Sequence, residues 1–165
     1  MSSDVIPVEL IGVRIELPTN QPIVLLREVG GTRFLPIWIG AGEAAAIAFV
    51  LEGVEPQRPL THDLLRITTE ALGATVDRVV ITQLQDGIFF ADLVFQRKEE
   101  VEVIISSRPS DAIALAARTE SPIFVNPSVL DEAGVEIQDE DEEAEVERFR
   151  DFLEDITPED FDSIS

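Results

Sequence analysis

Before any helical pattern begins, the chain offers three strand-like runs in succession, and this order limits the architecture more than any other feature. Residues 5–17 interleave β-branched side chains with the charges Glu9, Arg14 and Glu16. Residues 22–29 and 32–39 follow, joined at Gly30-Gly31, a pair that tolerates the positive φ angles of a tight hairpin turn. Gly40-Ala41-Gly42 closes this segment, and an alanine-rich helix is predicted over 43–52, broken by Gly53. A second helix is predicted over 61–72, with apolar Leu64, Leu65, Ile67 and Leu72, stopped by Gly73. Strands follow at 75–83 and 88–97, around Asp86-Gly87, and at 102–106. A helix over 110–118, a brief strand over 123–125 and a short helix over 128–132, stopped by Gly134, complete the pattern. Strands and helices mix without a regular βαβ repeat. That predicts an α+β fold, a mixed and mainly antiparallel sheet with helices packed against it.

A chain of 165 residues, 45% hydrophobic, is long enough for one domain that buries roughly 70% of the surface its unfolded form exposes. The acidic run at 138–143 is the clearest boundary, dividing a compact domain at 1–135 from an acidic linker and helical tail at 136–165. In the tail Val146, Phe149, Phe152 and Leu153 recur at helical spacing, and Thr157-Pro158 has the form of an N-cap with proline at the first helical position. This amphipathic tail can dock on the chain's own body or a dimer mate, dock on a protein partner, or float free, and docking on the body or a dimer mate is the expectation.

Charge and composition exclude several classes. The net charge is −21, and from Asp131 onward 16 acidic residues face only Arg148 and Arg150, a local balance of −14. Such a field repels nucleic acid and anionic membranes at long range, so a non-specific nucleic-acid binder with a broad basic footprint is not expected. Eleven of the twelve basic residues are arginine, which suits bidentate phosphate contact at short range. Without cysteine there is no disulfide, thiolate metal site or cysteine nucleophile. One histidine excludes a multi-histidine zinc cage. The start carries no basic region before an apolar stretch, and the longest apolar run, 44–51, falls far short of the roughly 20 residues that span a bilayer. A cytoplasmic protein without a membrane partner is the expectation.

Two stretches speak about chemistry: Arg58-Pro59-Leu60-Thr61-His62-Asp63 and Arg108-Pro109-Ser110-Asp111. Each sets an arginine, a proline, a hydroxyl and an aspartate at a predicted helix start. Unpaired N–H groups and the helix dipole favour anions there. Thr61 and Ser110 read as N-caps, each worth about 1 kcal/mol. Capping and dipole therefore account for the proline, hydroxyl and aspartate of both stretches with no ligand. The arginines are less easily explained, because a cation at a helix N-terminus is mildly unfavourable without a carboxylate or a bound anion. His62, in a first turn, is either a neutral base, a metal ligand or a structural partner of a carboxylate. Glu43, Asp63 and Asp111 are hard oxygen donors of the kind that Mg²⁺ or Mn²⁺ takes. Two such ions can assist phosphodiester hydrolysis. No phosphate-cradling loop, nucleophile elbow or dinucleotide fingerprint is present.

These residues resemble the bifunctional nuclease family of bacteria and plants. The matching stretches are Leu35-Pro36-Ile37-Trp38-Ile39-Gly40 with Glu43-Ala44, and Arg58 through Leu65. They continue with Phe89-Phe90-Ala91, Arg108 through Ala116, Pro122-Ile123-Phe124-Val125, and Leu130-Asp131-Glu132-Ala133-Gly134. The resemblance implies a compact α+β domain, a homodimer, and nuclease activity on DNA and RNA as in some members. It makes candidates of His62, Asp63 and Asp111 as catalytic groups, Arg58, Arg108, Thr61 and Ser110 as phosphate contacts, and Glu43, Asp63 and Asp111 as metal ligands. One departure stands out: relatives often carry an acid two positions before the second Arg-Pro, where this chain has Ser106. The tail resembles the short helical end of related bacterial proteins.

Two functions follow from this reading. One is a metal-assisted phosphodiesterase acting on DNA or RNA. The other is a non-catalytic dimeric binding or regulatory module whose acidic tail recruits a partner.

Overall fold

The computed structural model describes residues 4–136; the expected tail, apart from its first residue Glu136, lies outside them. Among the described residues eight strands form one sheet: β1 (Ile6–Glu16), β2 (Gln21–Glu28), β3 (Arg33–Trp38), β4 (Ala74–Gln85), β5 (Ile88–Arg97), β6 (Glu102–Ser107), β7 (Ile123–Val125) and β8 (Val135–Glu136). Their order is β6-β5-β4-β7-β1-β2-β3-β8. Every neighbouring pair is antiparallel except β4 with β7. Four α-helices among the described residues accompany the sheet: α1 (Ala41–Leu51), α2 (Thr61–Ala71), α3 (Pro109–Thr119) and α4 (Pro127–Ala133). The expected α+β class is the one observed.

Local sequence explains most of this. Asp86 and Gly87, both at positive φ, make the two-residue turn between β4 and β5, the geometry whose twist matches that of the flanking strands. Gly73 at φ 83 ends α2 in the left-handed conformation. Asn126 caps α4 by accepting a hydrogen bond from the Ser128 N–H.

One core unites the two halves of the sheet. Val13, Val24, Leu26 and Leu35 from β1–β3 share it with Val79, Ile81, Leu93 and Phe95 from β4–β5, and with α1 and α3. In α1 and α3 the buried face carries small residues, Ala44, Ala48, Ala112 and Ala116 among them. Small side chains let helix backbones approach toward the short end of the 8–10 Å range of helix packing. The consequence for the site is direct: α1 and α3 bring their N-termini together. The helix α2 is different. Its one buried residue is His62, while Leu64, Leu65, Ile67 and Leu72 are all at least 37% exposed.

Two expected caps are corrected. Thr61 and Ser110 are not N-caps: those positions belong to Leu60 and Arg108, and both hydroxyl residues lie inside the first turn. The proline explains the shift at α3, because Pro109 has its φ preset for the first helical position and so pulls the start one residue earlier. At α2 it is the Asp63 carboxylate, not Thr61, that reaches back to the Leu60 N–H, at 2.9 Å.

Candidate functional site

Three helix starts meet at one cleft. Glu43 is the third residue of α1, His62 the second of α2 and Asp111 the third of α3, so each side chain leaves a first turn where backbone N–H groups are unpaired. The cleft has a volume of 690 Å³, and its walls include Glu43, Leu60, Thr61, His62, Arg108 and Asp111. That size suits a small organic ligand.

A chain of polar contacts crosses its mouth. His62 Nε2 lies 2.9 Å from Asp111 Oδ1, so the two Arg-Pro helix starts do converge. The other oxygen, Asp111 Oδ2, accepts from Arg108 Nε at 2.9 Å, and Arg108 Nη1 donates to Glu43 Oε1 at 3.3 Å. Asp111 first and Glu43 second hold the Arg108 guanidinium above its ordinary pKa. The Arg108 side chain remains 65% exposed, which leaves it open to an arriving anion, while that of His62 is only 10% exposed. With Asp111 ionised, its bond to Nε2 selects the tautomer that carries the proton there. Nδ1 then becomes the acceptor, and it hydrogen-bonds to no described residue.

The remaining candidates lie elsewhere. Asp63 faces away from the cluster: Oδ1 accepts from Arg118 Nε at 2.6 Å, and Oδ2 from the Leu60 N–H. Burial opposes its ionisation, but the Leu60 N–H and the Arg118 guanidinium outweigh that and hold the carboxyl below its usual pKa. Arg118 is buried, 4% exposed in its side chain, and also donates to the Ala114 carbonyl. Arg58 is exposed, makes no hydrogen bond or ion pair with a described residue, and is not part of the cleft wall. Ser110 opens instead onto a neighbouring cavity of 400 Å³ that it shares with Trp38 and Arg108. Ser106 stands opposite Asp92, on the face of β6 away from the core that Leu93 and Phe95 enter. Ser106 is not part of the cleft wall.

The expected metal set is therefore not assembled. Among the described residues no group of three or more histidine or carboxylate side chains is placed to hold one ion. Asp63 is committed to Arg118, and Glu43 and Asp111 each give an oxygen to Arg108. No helix among the described residues is long and apolar enough to cross a membrane. Arg118 and Trp38 were missed as contributors from sequence. Arg118 had no local signal, since its partner lies 55 residues away. For Trp38, the signal was a lone tryptophan at a strand end beside a Gly-Ala-Gly segment.

The model of the bifunctional nuclease domain matches residues 24–138, which hold the cleft and all its named side chains. An uncharacterized protein of Mycobacterium tuberculosis is 51% identical over 162 residues, covering 93% of this chain and 96% of that one. Bifunctional nuclease 1 of Oryza sativa subsp. japonica is 28% identical over 120 residues, which cover 72% of this chain but only 36% of the rice protein. Bifunctional nuclease 2 of Arabidopsis thaliana is 28% identical over 128 residues, with 74% of this chain and 39% of the plant protein covered. With more than half its length under the family's match, the chain belongs to the bifunctional nuclease domain family.

Proposed function

We propose that the cleft binds the phosphodiester group of DNA or RNA and hydrolyses it. The supporting observation is a single carboxylate: Asp111 orients the His62 imidazole with one oxygen and the exposed Arg108 guanidinium with the other. In this reading Arg108 and the N–H groups of the first turns hold the phosphate, where an anion is favoured. His62 Nδ1 takes a proton from water as the oxygen attacks phosphorus. The imidazolium returns that proton to the leaving oxygen as the P–O bond breaks. Asp111 stabilises the imidazolium while it exists. Glu43 keeps Arg108 turned toward the cleft. The three carboxylates expected to hold Mg²⁺ or Mn²⁺ do not fit a single ion as they stand.

The test is cleavage of single-stranded DNA and RNA by purified protein, in EDTA and with Mg²⁺ or Mn²⁺ added. His62→Ala and Asp111→Asn should each lower the rate by about 10²-fold or more, the usual contribution of general acid–base catalysis. Cutting that persists unchanged in both variants belongs to a contaminant and ends the hydrolytic reading. Ion-stimulated cleavage that is lost in Glu43→Gln assigns the ion to the cleft carboxylates.

A second reading has its own support: Glu43, Arg108, Asp111 and His62 already satisfy one another. A module that binds phosphate without cutting needs only Arg108 and the helix starts. For that module, Arg108→Ala abolishes oligonucleotide binding, and no divalent ion elicits turnover.

A further inference from the structure

Next to the cleft lies a second cavity with a different character. Its 400 Å³ are bounded by Gln21, Trp38, Ile88, Phe89, Arg108 and Ser110. Arg108 belongs to both cavities, so an anion held by its guanidinium sits at the threshold of the second. We propose that this second cavity is a nucleobase subsite, taking one unpaired base of a single-stranded substrate whose phosphate is held at Arg108. The inference rests on the phosphodiester reading above and adds to it the strandedness of the substrate and a base contact.

Three features point to a base as occupant. First, Trp38 is 49% exposed although its indole is anchored, the Nε1–H donating to Glu16 Oε2 at 2.6 Å. An indole fixed by its edge and half open to solvent offers a flat surface at little entropic cost. Stacking of a base on an aromatic ring contributes about 1–3 kcal/mol. Phe89, half-buried against the core, and Ile88, 60% exposed on the β4–β5 hairpin, supply further apolar wall. Second, the polar groups are unpaired. Ser110 is 94% buried by its 6% exposure, and its hydroxyl hydrogen-bonds to no described residue; the exposed Gln21 amide is likewise without a partner. The Ser110 hydroxyl can donate to or accept from a base or ribose edge that enters the cavity. The amide can pair with the edge of a base through both its donor and its acceptor. Third, an aromatic floor beside an arginine is the combination that single-stranded nucleic acid uses, ring against base and cation against backbone. A base inside a duplex cannot enter such a recess without unstacking, so the subsite selects single strands.

Trp38 is the only tryptophan in the chain, so its fluorescence reports on this cavity alone. The full-length protein is titrated with a short oligothymidylate and with an abasic oligomer of equal length and phosphate number. The oligothymidylate should quench Trp38 and bind about tenfold more tightly by a label-based measurement such as anisotropy. The abasic strand should bind without quenching. Trp38→Ala should remove the difference between the two strands, and so should Gln21→Ala in part; Gln21 is exposed, so its replacement leaves the fold alone. Equal affinity for both strands with no fluorescence change overturns the base subsite and leaves phosphate binding at Arg108 standing. Failure of both strands to bind overturns the phosphodiester reading and the subsite with it.

Discussion

Asp63 and Asp111 are each the third residue of a helix that follows an Arg-Pro pair, yet their carboxylates end with different partners. Asp111 joins His62 and Arg108 at the cleft, whereas Asp63 closes the first turn of α2 and neutralises the buried Arg118. Removing one member of a buried pair leaves the other uncompensated, so Asp63→Ala should cost about 3 kcal/mol of stability. Asp63→Asn should retain phosphate binding per folded molecule, in contrast to Asp111→Asn. The pH dependence follows from the lowered pKa of Asp63. A carboxyl depressed in the folded state contributes stability that is present above its unfolded value, near pH 4, and lost as pH falls through the folded one. Melting curves of wild type and Asp63→Asn should therefore diverge at neutral pH and approach each other below about pH 4. A constant gap across that range overturns the assignment. The sequence alone could not separate the two aspartates. Both follow an arginine, a proline and a hydroxyl residue along the chain, and what distinguishes them is a guanidinium that arrives at Asp63 from α3.

At the scale of elements, what was legible depended on periodicity and glycine. The strands from β1 to β7 showed alternating or continuous β-branched runs bounded by turn residues, and their ends lie within two residues of expectation. The two-residue β8 was invisible because so short a strand has no period; it exists through pairing with β3 at Arg33 and Phe34. The convergence of the three helix starts was equally hidden: alanine packing brings α1 and α3 together, and α2 joins them through the His62–Asp111 and Asp63–Arg118 contacts. One element carries a further expectation. We propose that the homodimer implied by the family resemblance forms along β6, an edge strand with Ile104 and Ile105 each at least half exposed on opposite faces. The Arg97 N–H donates to the Val101 carbonyl at 2.8 Å, which sets the parity of the ladder. By that parity the backbone groups of Val103, Ile105 and Ser107 turn toward β5, and those of Glu102, Ile104 and Ser106 turn outward. Antiparallel pairing with a second copy about Ile104 then matches outward groups with outward groups, about six ladder hydrogen bonds in all. It sets Ile104 against the partner's Ile104, and Glu102 against the partner's Ser106 with no like charges opposed. Sedimentation equilibrium should give a dimer for wild type and a monomer for Ile104→Lys, since a charge at the dyad would face its own copy. A wild-type monomer at tens of micromolar overturns this edge as the interface.

For the whole molecule the question is how a chain of net charge −21 could hold a polyanion at all. The distribution of the charge supplies an answer: residues 138–165 contain 13 acidic side chains and two arginines, a balance of −11, against −10 for all the rest. The cleft and its positive helix starts lie within the less acidic portion. Repulsion from the acidic end acts over the Debye length, about 10 Å at 0.1 M salt and about 3 Å at 1 M, whereas the contact with Arg108 acts at hydrogen-bond range. Deleting 138–165 should therefore strengthen oligonucleotide binding by about tenfold at low salt, mainly through a faster association rate. The gain should shrink toward nothing near 1 M. Full-length protein should also show an unusual salt response: moderate salt should weaken its binding less than it weakens that of the truncated chain, because screening relieves repulsion and attraction together. Stopped-flow association rates for the two forms, measured across a salt series, decide the matter. Equal rates at low salt would mean that the acidic end does not screen the cleft, and its charge would then have to be explained by a partner of the opposite sign.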